Sequence, residues 1–121
     1  MTSEADRRPL VAGYAFLYGR CMDMNLKAEE VRGWLRQQFP QHQFVVTIRG
    51  RQLIVAAVSP AWPTDPEPRV RLRCDARSQW DISYWHHTGR WEVIPPLGGS
   101  WPAVRQALAD DPMALFWVEL D

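Results

Sequence analysis

Arg69, Arg71 and Arg73 alternate with Val70, Leu72 and Cys74, the period of a strand with one cationic and one apolar face. A few residues on, Trp80, Ile82, Tyr84 and His86 alternate with Asp81, Ser83, Trp85 and His87. If the two segments pair as neighbours in a meander, the three arginines lie beside Asp81, Ser83, Trp85 and His87, with Arg90 and Glu92 next on that face. Guanidinium groups among aromatic rings hold phosphates and stack single-stranded bases. They also occupy the centres of protein interfaces. The bland alternative is a solvated face whose cross-strand ion pairs contribute roughly 0.2–1 kcal/mol each. Lys+Arg and Asp+Glu are both 14, a net charge of zero, which argues against a dedicated polyanion binder.

Other candidate chemistry is thinner. Adjacent histidines on a strand point to opposite faces, so His86 and His87 do not chelate together, and no Cys-x-x-Cys or His-x-x-x-His spacing completes a metal site. Cys74 falls on the apolar side of its strand and Cys21 in an apolar stretch; both read as buried, inert thiols, and two cysteines make no disulfide framework. Asp110 and Asp111 precede Pro112, the composition of a turn or helix end. Gly98-Gly99-Ser100 ahead of a helix could cradle an anion, but reads better as a flexible link without a P-loop lysine. No catalytic group, metal or cofactor is expected.

The elements that position these residues follow from period and punctuation. With 121 residues, one domain is expected over 10–121, behind a polar, flexible arm over 1–9. No apolar run reaches the ~20 residues of a membrane span, and the start of the chain does not read as a signal peptide, so a soluble, cytoplasmic protein is expected. Residues 10–24 are apolar and are assigned to a helix. Residues 26–39 form an amphipathic helix, capped by Asn25 and stopped by Pro40, with a stripe of Leu26, Val31, Trp34, Leu35 and Phe39. From Gln43 the period becomes two. Phe44, Val46 and Ile48 share a face, a turn follows at 49–52, and the continuous apolar run 53–58 suggests a strand covered on both sides. Pro60, Pro63, Pro66 and Pro68 make 59–68 an extended loop that carries Trp62. Thr88-Gly89 turns the chain into a strand over 90–94 with Trp91 and Val93 inward. Ser100 caps a last helix, with Pro102 in its first turn and Val104, Leu108 and Trp101 toward the core. The fold class is α+β, an antiparallel meander of about five strands with helices on one face.

The aromatic spacing of the second half resembles a family of small bacterial proteins known as a domain of unknown function. The resemblance spans 44–117. It rests on Ser59-Pro60-Ala61-Trp62, the Arg-rich strand, Trp80-Asp81-Ile82-Ser83-Tyr84-Trp85, Trp91 before a proline pair, and Asp111-Pro112 ahead of Phe116-Trp117. The chain departs from the family pattern at His86-His87-Thr88-Gly89-Arg90-Trp91, where a basic run is expected. The resemblance implies a fold unit and a bacterial source, and it names no chemistry.

Thirteen of the fourteen basic residues are Arg, and five of the seven Trp lie between 62 and 101. The first fact fits codon bias in a GC-rich genome. Together with the missing catalytic constellation, the two favour a non-enzymatic interaction module that binds a protein or itself. Its surface is expected among Arg69, Arg71, Arg73, Trp85, His87 and Arg90, or at the proline loop with Trp62. A second expectation is a single-stranded nucleic-acid binder using the same arginines and Trp85. A third is a small-molecule pocket between helix and sheet, walled by Trp34, Trp80, Tyr84 and Trp91.

Overall fold

The computed structural model describes residues 23–120, so the expected arm over 1–9 and nearly all of the expected helix over 10–24 lie outside the described residues. In chain order the elements are helix α1 (Met24–Gln38), strands β1 (Gln43–Arg49), β2 (Gln52–Ser59), β3 (Trp62–Cys74), β4 (Trp80–His86) and β5 (Arg90–Val93), and helix α2 (Trp101–Asp110). The strands form one antiparallel sheet in the order β1-β2-β3-β4-β5. This is the α+β meander expected from the period-2 segments.

Helix α1 starts before the expected cap. Its N-cap is Asp23, in the left-handed region and without a side-chain cap bond, so Asn25 lies inside the helix. The buried positions are Ala28, Val31 and Leu35 at the i, i+3, i+7 spacing of one helical face. Leu26 is exposed and does not belong to that stripe. Helix α2 begins as expected: the Ser100 side chain accepts from the Ala103 N–H, and Pro102 occupies the first turn.

One cluster gathers Val31 and Leu35 from α1, Val46, Leu53, Val55, Val70, Leu72 and Ile82 from the sheet, and Val104 and Leu108 from α2. Register explains which strand residues reach it. Val46 faces Val55, Val55 faces Val70, and Leu72 stands between Leu53 and Ile82. The intervening residues Ile54, Ala56 and Val58 are half-buried on the reverse side, so β2 is only partly covered there.

The proline-rich segment differs from the expected loop. Residues from Trp62 onward belong to β3, with Ser59 opposite Trp62, Ala57 opposite Glu67 and Ala56 opposite Pro68. Proline lacks a donor but fits an extended strand whose pairing is interrupted, and the register shifts here twice.

The glycine pair before α2 is not a hinge. Gly99 and Trp80 exchange both backbone hydrogen bonds, at 2.8 and 2.9 Å, which ties the segment to β4. A Cβ at Gly98 would lie 2.4 Å from the Trp80 carbonyl oxygen, and its φ of +109° is open only to glycine.

Candidate functional site

The face turned away from the core cluster carries the candidate surface. Its rows follow from pairing: Arg73 stands between Gln52 and Asp81, and Arg71 between Ile54 and Ser83. Ser83 faces Val93, and Trp85 faces Trp91. Arg71 lies with its guanidinium carbon 5.5 Å from the Trp91 ring centroid and donates to the Ser83 hydroxyl at 3.4 Å. Trp85 and Trp91 meet edge to face, centroids 5.1 Å apart at 71°. Arg73 pairs with Asp81 at 3.2 Å. Around them Val45, Trp85 and Val93 are 42%, 36% and 44% exposed.

Burial beneath its neighbours lowers the pKa of the Arg71 guanidinium from its ordinary value; the Arg73 charge lowers it further and Asp81 opposes them. Arg71 Nε and Asp81 Oδ1 are both buried without a hydrogen-bond partner. A half-buried cation thus sits among apolar side chains with part of its hydrogen-bonding capacity unused.

Arg69, expected on this face, is on the other. Val55 pairs with Val70 and Ala56 with Pro68, so Arg69 is the extra residue of a bulge. Two residues opposing one place their side chains on the same side, so Arg69 joins Val70 at the core. It is 9% exposed, and its guanidinium donates to the carbonyls of Phe116 and Val118 and to Glu67. It pins the C-terminal segment, which Asp111 holds from the other end. The Asp111 carboxylate accepts from the N–H groups of Leu115, Phe116 and Trp117, at 2.8 to 3.3 Å. A residue expected to be part of a plain turn is therefore an anchor. The signal available in the sequence was the distance to Phe116-Trp117, which leaves a carboxylate free to receive the next turn's amides.

Arg90 and Glu92 also change sides, because Glu92 faces Tyr84 and Arg90 faces His86. The cause is the turn. A two-residue Thr88-Gly89 loop would pair Arg90 with His87. The observed loop has three residues, His87-Thr88-Gly89, with Gly89 at φ +86°. One added residue reverses the side-chain parity of β5. Trp91 and Val93, expected inward, therefore belong to the Arg71 face. His87 lies in the turn, with its ring 4.0 Å from that of His86 rather than across the strand. The His86 Nδ1 is engaged by Thr88. Among the described residues no group of three or more His, Cys, Asp or Glu could hold a metal ion.

The four-aromatic pocket does not form. Trp34 packs with Phe39 and Trp117, Trp80 with Trp101, Tyr84 with His86, and Trp91 with Trp85. Of the four, only Trp34 lines a groove of about 640 Å³ between α1 and α2. Trp62 is 71% exposed. Cys74 is buried as expected, but it is disulfide-bonded rather than a free thiol.

A family model matches residues 22–118, that of the domain of unknown function DUF3024. No curated protein and no solved structure matches the chain. Among the described residues no helix is long and apolar enough to cross a membrane.

Proposed function

We propose that this chain, which belongs to the DUF3024 family, is a non-enzymatic interaction module that binds a protein partner through the sheet face bearing Arg71, Trp85, Trp91 and Val93. The observation that carries the reading is Arg71 itself. It is half-buried, lies against Trp91, and keeps an unpartnered Nε within a partly exposed apolar face. Trp and Arg in such settings dominate binding energy at protein interfaces.

Single-stranded nucleic acid is the weaker reading. Arg69 and Arg90 lie on the opposite side, Arg73 is paired with Asp81, and Trp85 meets Trp91 edge to face, a poor platform for stacked bases. The disulfide at Cys74 favours an oxidising compartment over the cytoplasm.

The test compares pull-downs by wild type and Val93→Glu, with bound proteins identified by mass spectrometry. It is run beside a tryptophan-fluorescence titration with mixed single-stranded DNA and RNA at low salt. A partner retained by wild type and lost with Val93→Glu, together with a flat titration, supports the reading. Equal retention by both proteins, or quenching that added salt reverses, overturns it.

A further inference from the structure

The second surface is the edge of β1, which pairs with no further strand among the described residues and is independent of the face just described. The β1–β2 hairpin closes with Arg49 opposite Gln52 across two residues, of which Gly50 has a positive φ, +59°, and Arg51 does not. That is the pattern of a turn with glycine at its first central position, whose closing pair is hydrogen-bonded. Alternation along an antiparallel pair then leaves Phe44, Val46 and Ile48 as the positions whose N–H and C=O groups point away from β2. The contact at Val46 agrees: its carbonyl accepts from Arg32 Nη2 of α1 at 2.7 Å.

Between this edge and α1 lies a groove of about 470 Å³. Arg32, Arg36 and His42 line it with Phe44, Val46 and Val58, and no carboxylate is among its described lining residues. Glu29, which accepts from Arg32 Nη1 at 2.6 Å, stands outside that lining. An unpaired strand edge beside a helix is the setting in which an extended peptide adds a strand, with main-chain bonds supplying affinity and side-chain pockets selectivity.

We infer that the β1 edge groove takes an extended peptide segment carrying an acidic side chain, added as a sixth strand beside β1. Its backbone bonds to the outward groups of Phe44, Val46 and Ile48. Its carboxylate meets Arg36 and Arg32. Arg32 stands where an incoming N–H would sit, so docking turns its guanidinium from the Val46 carbonyl to the ligand.

The test passes two degenerate libraries of end-blocked nonapeptides over the immobilised full chain, one with Glu fixed at the centre and one with Lys. Sequences should be retained from the Glu library, and a retained peptide should move the amide resonances of Phe44, Val46 and Ile48. N-methylation of alternate peptide amides, and separately Arg36→Glu, should each weaken binding about tenfold, equivalent to roughly 1.4 kcal/mol. Val93→Glu should leave peptide affinity unchanged. Equal retention of the Lys library, no retention from either library, resonance shifts confined to Trp85 and Trp91, or a concentration-dependent dimer that protects these amides would each overturn the inference.

Discussion

Arg69 and Arg73 lie four residues apart on one strand and look interchangeable by composition, yet their removal should have very different effects. Replacing Arg69 with Met keeps most of the apolar stem and deletes the bonds to the Phe116 and Val118 carbonyls and to Glu67. The Glu67 partner is largely exposed, so that ion pair is worth about 0–1 kcal/mol. The Phe116 contact, at 3.5 Å, is near the limit of a hydrogen bond. The Val118 bond is the strong one, and a hydrogen bond to a charged group contributes about 1.5–3 kcal/mol. Relief of a desolvated guanidinium offsets part of the sum, which leaves a cost of about 2 kcal/mol. In a domain of this size that is a fall of about 6–12 °C in Tm. Arg73→Met breaks an exposed pair with Asp81 and should cost about 0–1 kcal/mol. Urea unfolding followed by tryptophan fluorescence reads both variants. A double-mutant cycle with truncation before Val118 should show that the truncation removes most of the Arg69 effect. An Arg69→Met variant within about 0.5 kcal/mol of wild type, or one no worse than Arg73→Met, would refute the bulge argument.

Asp111→Ala removes the acceptor for three amides and should cost about 1–3 kcal/mol, with faster hydrogen exchange at Leu115, Phe116 and Trp117. Gly98→Ala should cost about 1–3 kcal/mol from positive φ alone, and more from the clash with the Trp80 carbonyl; calorimetric Tm reads the loss. The Asp75 carboxylate is held below its ordinary pKa by backbone bonds first from Gln79 and then from Arg77. Its contribution is therefore present above the unfolded-state value of about 4 and lost as pH falls through the lower folded value. Urea midpoints of Asp75→Asn should show a shallower decline than wild type in that acid range. Thiol titration of the unreduced, denatured protein should find no free thiol at Cys74.

The meander was legible because strand periodicity survives wherever one face is buried: Phe44, Val46 and Ile48 face the core cluster as their alternation indicates. Helix α2 was legible from Ser100 and Pro102. The candidate face was only half legible, since side-chain parity is a running count that one unseen residue reverses. The bulge at Arg69 and the third turn residue before Arg90 each broke that count. Proline content hid the first half of β3, because the cost of a missing donor depends on which strand positions are left unpaired. The groove beside β1 was invisible for another reason: it depends on how α1 sits against the edge, and no local pattern carries that distance.

The closure of the His87-Thr88-Gly89 turn on the His86–Arg90 pair makes the chemistry of β5 hostage to register. A turn moved by one residue, so that Arg90 paired with His87 instead of His86, would exchange Trp91 and Val93 for Arg90 and Glu92 beside Arg71. A hydrophobic flank would become a charged one without a single substitution. Which β4 residue pairs with Arg90, rather than the number of residues in the turn, therefore sets the side chains that flank Arg71.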